Sequence, residues 1–166
     1  VDTEAQVQAE GWIAAQREWQ NADNWRGGWL GLYVAPNDPR LVLSPADGKV
    51  VQVIPAATDH PLGPGATQVS IFLSVFDVHI NRSPIAGKVT AVQYHPGEFL
   101  PAFDDKASLR NEQNSVTVEG GSSRVMFKQI AGLIARRIVF KKRVGDEVAA
   151  GERVTLAPWD LAVIRE

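Results

Sequence analysis

With 166 residues, 45% of them hydrophobic, the chain suits one compact domain built on a single core rather than two. Lysines and arginines number 17 against 19 aspartates and glutamates, and the net charge of -2 argues against a polyanionic partner such as nucleic acid. The absence of cysteine removes disulfide scaffolds, thiolate metal sites and cysteine nucleophiles together.

The opening stretch, VDTEAQVQAE, lacks the basic and apolar parts of a secretory signal, and no apolar run approaches the roughly 20 residues of a spanning helix. The sequence therefore reads as soluble or peripheral. From Asp2 to about Gln20 it is rich in Ala, Gln and Glu and free of proline, which predicts a helix capped by Asp2 or Thr3, with Gly11 as its weak point. Trp12 and Trp19 share a face of that helix, and Trp25 and Trp29 follow, so four of the five tryptophans lie close together. Such clustering suits an interface. The polar face carries Glu4, Glu10 and Glu18, which favours packing on the domain's own core over a basic helix lying on a membrane. Residues 1–36 are expected to form this helical, Trp-rich segment and residues 37–166 a β domain.

After Pro36 and Pro39 the texture changes to short β-rich runs separated by turn residues: LVLS, KVVQVI, QVSIFLSVF, KVTAVQY, NSVTVE, SRVMFKQIA, RRIVFKK and LAVIR. This predicts a mainly β fold. TVEGGSSRV reads as a hairpin, with glycine supplying the positive φ of a tight loop. The long irregular piece is residues 95 to 114, a length at which loops are often functional. An internal echo runs through the region: SPADGKVVQV, SPIAGKVTAV and then VGDEVAAGERV. Such strand-turn units resemble the flattened β-barrel, or sandwich, of biotinyl and lipoyl carrier domains. Asp105-Lys106-Ala107 resembles a lipoyl-lysine motif, but it sits in the long loop instead of at the tip of a two-strand turn, so carrier function is not expected.

Of the three histidines, His60 and His95 each precede proline in turn-like sequence and are expected to be solvated loop residues. No metal-ligand cluster is visible. His79 lies in SVFDVHINRSPIAGKV, on or beside a strand, where a partly buried imidazole needs a hydrogen-bond partner. On spacing alone it reads as a structural histidine, and Asp47, before Gly48, as a turn residue. Arg136, Arg137, Lys141, Lys142 and Arg143 form the most basic stretch, expected on the outer face of a strand pair as solvated charges or as contacts to anionic headgroups.

Four segments, LSPADGKVV, SIFLSVFDVHINRSPIAGKV, YHPGEFLPAFDDKASLRNEQNSV and KQIAGLIARRIVFKKRVGDEVAAGERV, stand in the order found in the short bacterial form of phosphatidylserine decarboxylase, which the chain resembles from about Leu43 to Val154. The resemblance implies a proenzyme that cuts itself at a Gly-Ser bond, the serine becoming a pyruvoyl group. That group forms a Schiff base with the substrate amine and takes up the electrons released as CO2 departs. It implies that Asp47 is the carboxylate that orients His79 and that His79 is the base for self-cleavage. Longer family members carry another histidine three positions before the His79 equivalent; here that position is Phe76, as in the short form. The resemblance also implies an anionic, phosphatidylserine-like phospholipid as partner, no metal, peripheral contact with the inner face of a membrane from the cytoplasm, and a possible homo-oligomer.

The sequence departs from the family pattern after Val154. Counting from Gly151, the Gly-Ser pair should fall on Asp160-Leu161, and no serine follows Ser123. Thr155 is the one later hydroxyl, preceded by valine, while Gly121-Ser122 precedes the segment that should lead to the cleavage site and reads as a hairpin loop. Two expectations result: a decarboxylase of phosphatidylserine lacking its precursor serine in this sequence, or a non-processing relative that serves as an anionic-phospholipid binding or regulatory module.

Overall fold

A computed structural model describes residue 38, residues 41–74, 79–101, 106–121 and 123–154, and the backbone of residues 161–165. The predicted N-terminal helix and its tryptophans lie outside the described residues. Within them the chain is mainly β, as the alternating runs predict. Seven strands, β1 (Lys49–Pro55), β2 (Thr67–Phe72), β3 (Gly87–His95), β4 (Gln113–Gly120), β5 (Ser123–Ile130), β6 (Glu147–Val148) and β7 (Leu161–Arg165), form one antiparallel sheet. Its order is β1-β2-β7-β5-β4-β3-β6, and it curls into a half-barrel. A single turn of helix, α1 (Ala107–Arg110), interrupts the long loop between β3 and β4.

The core follows from period-two alternation. Val116 and Val118 on β4 and Val125 and Phe127 on β5 are fully buried and join Ile71, Val89 and Val148 in one cluster. Phe127 meets Phe140 edge to face at a centroid distance of 6.4 Å.

The echo between the two Ser-Pro-x-x-Gly-Lys-Val stretches is a structural repeat. Ser44 Oγ donates to the carbonyl of Ala46 at 2.6 Å, and Ser83 Oγ donates to the carbonyl of Ile85 at 2.7 Å. In each unit the glycine then opens the strand against a neighbouring carbonyl, Gly48 against Phe72 and Gly87 against Glu119. In each, too, the register shifts just beyond, between Val50 and Gln52 and between Val89 and Ala91. The third stretch, VGDEVAAGERV, is not a further copy; its β6 pairs with Gly87 and Lys88 of the second unit.

Three expectations change. LVLS and RRIVFKK form no strand of the sheet. Leu43 N–H donates to the carbonyl of Pro84 instead, and Lys141 N–H to that of Val154, so both runs bury apolar groups while crossing between strands. The basic stretch is accordingly not the face of a strand pair. Its Lys142 is engaged with Glu152 at 2.6 Å, and Arg136 lies over the Phe99 ring and donates to the carbonyl of Leu133. His95 closes β3 opposite Gln113, exposed, because β3 runs one turn residue further than its apolar pattern. The hairpin forms as expected but tighter, with Gly120 paired to Ser123 and Gly121 at a φ of 57°.

Candidate functional site

The site begins with two extended arms. Leu43 N–H donates to the carbonyl of Pro84, and Arg82 N–H to the carbonyl of Pro45, both at 2.8 Å, so residues 43–45 run antiparallel to residues 82–84. Asp47 follows the first arm by two residues, in a bend, and His79 precedes the second by three. Asp47 and His79, 32 positions apart in sequence, thus flank one pair of arms. Both are partly buried and neither is without a partner.

On the other flank of the His79 arm runs the stretch 151–154. Val154 N–H donates to the carbonyl of Asn81 at 3.0 Å, Ser83 N–H to that of Glu152 at 2.8 Å, and Gly151 N–H to that of Ser83 at 2.8 Å. The Glu152 carboxylate is held below its ordinary range, first by its bond with the Lys142 ammonium and next by the Ala149 N–H, which donates to it at 2.8 Å. A lowered carboxyl stabilises the fold above its ordinary pH of about 4.5, and that contribution is lost as pH falls through the lowered value. Glu152→Gln is expected to cost about 0.5 kcal/mol at pH 7, kept small by solvent screening, and progressively less as pH falls below 4.5. Urea midpoints of the two proteins across that range check it, and a pH-independent gap refutes it.

Sheet register fixes where this corner lies. Lys49 faces Phe72, Ile71 faces Ala162 so that Phe72 comes level with Leu161, and Leu161 faces Ile130. Ile130 faces Gln113, and Gln113 faces His95. This row is one end of the sheet. Asp47 sits two residues before its β1 member, and Leu161, on which the expected Gly-Ser pair ends, opens β7 in the same row. The structure sets Asp47 two residues from this row and Leu161 in it. It leaves His60 apart, in a turn where Nδ1 accepts the Leu62 N–H at 3.2 Å, and Lys106 at the start of α1.

Behind the arms lies a feature that pattern reading missed. Asn114 Nδ2 donates to Gln129 Oε1 at 3.3 Å, Gln129 Nε2 donates to Asn81 Oδ1 at 3.0 Å, and Asn81 Nδ2 donates to the Pro45 carbonyl at 3.4 Å. All three amides are buried, Asn81 and Gln129 completely. A buried amide without partners costs about 1–3 kcal/mol, so such a chain is tolerated only when joined end to end. The available signal was parity: Gln129 is in phase with Val125 and Phe127, and Asn114 with Val116 and Val118, polar residues at core positions of otherwise apolar strands. Asn111, also buried, ties the long loop to the sheet, since its Nδ2 donates to the carbonyls of Leu100 at 2.9 Å and Ala131 at 2.7 Å. No group of His, Asp and Glu side chains suited to a metal ion occurs among the described residues.

Known proteins share this frame. The family model described as phosphatidylserine decarboxylase matches residues 33–156. A phosphatidylserine decarboxylase proenzyme of Solibacter usitatus (strain Ellin6076) is 58% identical over 116 residues, 70% of this chain and 53% of the relative. Its counterpart from Chlorobium chlorochromatii (strain CaD3) is 48% identical over 118 residues, 71% of this chain and 55% of the relative. The chain spans about half the length of these curated relatives. The matched residues contain both Ser-Pro-x-x-Gly-Lys-Val units, both arms and the stretch 151–154, and on that match the chain belongs to the phosphatidylserine decarboxylase family.

Proposed function

We propose that this chain is the β domain of a carboxy-lyase that converts phosphatidylserine to phosphatidylethanolamine, with Asp47 and His79 as the pair that drives its self-processing. Its family supports the chemistry, and two relatives are named as proenzymes. The observation that supports the residue roles is the sheet end: the Asp47 turn leads into the row that the first residue of β7 joins, and backbone bonds tie the chain before that turn to the arm that carries His79. In such a trio the carboxylate holds the imidazole ring and offsets its positive charge, while the imidazole accepts a proton from a hydroxyl at the start of β7.

The family's pyruvoyl group needs a serine preceded by glycine. Leu161 opens β7 without a hydroxyl, Asp160 stands where glycine is required, and Thr155 follows valine. The residues present do not supply the group. Intact mass under denaturing conditions tests the assignment. The chain as it stands remains one species of 18.1 kDa, and a variant given Gly-Ser at 160–161 divides there only while His79 is present. A variant that stays whole removes the self-processing reading and leaves an anionic-phospholipid binding module as the better account.

For a phospholipid substrate the domain has to work at a bilayer surface, and we propose peripheral contact with an anionic, cytoplasm-facing leaflet. Among the described residues no helix is long and apolar enough to cross a membrane. Arg137 and Lys141 are exposed, whereas Lys142 is committed to Glu152. Each basic residue near an anionic surface contributes about 1 kcal/mol, so Arg137→Glu with Lys141→Glu should lower binding to phosphatidylserine vesicles by about tenfold or more in a sedimentation assay. Unchanged binding eliminates this surface.

A further inference from the structure

Asn81 is two residues from His79, and Pro45 is two residues from Asp47. The buried amide chain ends on both. Its inner link, Gln129 Nε2 to Asn81 Oδ1, joins the middle of the sheet to the His79 arm, and its last link, Asn81 Nδ2 to the Pro45 carbonyl, joins that arm to the Asp47 turn. Its outer link rests on Asn114, the cross-strand partner of Gln129. Gln129 is completely buried at a position where Val125 and Phe127 show that an apolar side chain would fit the pattern, and an apolar residue would avoid the desolvation of an amide. Packing alone therefore does not explain it.

From this we infer that Gln129 is a positioning residue: through Asn81 it sets the height of the His79 arm against the Asp47 turn, and so the alignment of imidazole and carboxylate. The inference rests on the reading of Asp47 and His79 as a pair. Gln129 acts through Asn81. It acts by fixing both carboxamide orientations of Asn81, whose oxygen must face β5 for its nitrogen to reach Pro45. Without the Gln129 donor the Asn81 amide is free to turn over, and the tie to Pro45 is lost. The arms would keep their backbone bonds but lose their side-chain gauge.

Imidazole tautomers at pH 8, read by long-range proton–nitrogen NMR on the full chain, test this. A histidine whose Nδ1–H is held by a carboxylate stays in that form, whereas an unconstrained neutral imidazole mixes forms with Nε2–H in excess. His60 is an internal standard, because its Nδ1 accepts the Leu62 N–H and so fixes the Nε2–H form. The expected result is Nδ1–H for His79 in the unaltered chain and a loss of that preference by about fivefold or more in Gln129→Met, with His60 unchanged. Should Gln129→Met fail to fold, Asn114→Ser, which cuts only the outer link, is judged by the same criterion. A His79 that keeps its Nδ1–H form in the folded variant overturns the positioning role while leaving the pair intact. A His79 that already mixes forms in the unaltered chain overturns the pair itself, and the inference with it.

Discussion

The Asp160→Gly, Leu161→Ser double variant is expected to cut itself between positions 160 and 161, and replacing His79 with alanine in that background should slow the cut about a thousandfold or more. The size of the effect follows from what each group does. A serine hydroxyl is a poor nucleophile until a base removes its proton, and an imidazole is a usable base only if one nitrogen faces the hydroxyl while the other is held. Asp47→Asn keeps the shape but holds the wrong tautomer, so a loss of similar order is expected there. Deconvoluted masses over a time course give the rates directly. Equal rates with and without His79 would show that some other base serves the start of β7, and would dissolve the assignment made from the sheet end. Circular dichroism on each variant keeps a misfolded protein from being mistaken for an inert one.

Alanine at Gly87 or Gly120 is expected to destabilise the domain by about 3 kcal/mol, at the upper end of what overpacking costs. These glycines stand back to back where β3 leaves the second repeat unit and β4 ends. A methyl on Gly87 would run into the Glu119 carbonyl, and one on Gly120 into the carbonyl of Ala86, with the Cα of the opposite glycine close behind in both cases. The obstacles are backbone atoms of hydrogen-bonded strands, so no rotamer change relieves them. Relief requires parting β3 from β4, beside fully buried Val89 and Val118. Gly145→Ala is the comparison: its φ of 99° disfavours a side chain, yet nothing stands within 4 Å of the added methyl, and a cost nearer 1 kcal/mol is expected. Urea denaturation of the three variants orders them. Equal losses at Gly87 and Gly145 would mean that backbone conformation, not close approach, sets the cost.

β1 to β5 and β7 were legible because alternation and turn residues speak through neighbours in sequence. RRIVFKK misled for the same reason. It has the apolar alternation of a strand, but its burial comes from Phe140 meeting Phe127 and its hydrogen bond from Val154, contacts that no local pattern records. Asp47 and His79 were visible only through resemblance, since locally one reads as a turn residue and the other as a structural histidine. What links the segments that carry them is the pairing of residues 43–45 with residues 82–84, about forty positions away. The amide chain was further from view. Gln129 and Asn81 are 48 residues apart and Asn81 and Pro45 are 36 apart, so the polar side chains look like isolated blemishes in apolar strands until the fold joins them.

Strand β7 lies in the middle of the sheet, with β2 on one side and β5 on the other. A ribosome delivers it after every other strand described, so until it docks the nascent sheet is in two pieces, β1-β2 and β5-β4-β3-β6, each with a bare edge awaiting the same short segment. Closure of that gap is also what sets position 161 in the row that runs from Lys49 to His95. The sheet thus becomes whole only on the arrival of its last strand, and a nascent chain that stops short of residue 161 leaves both edges open.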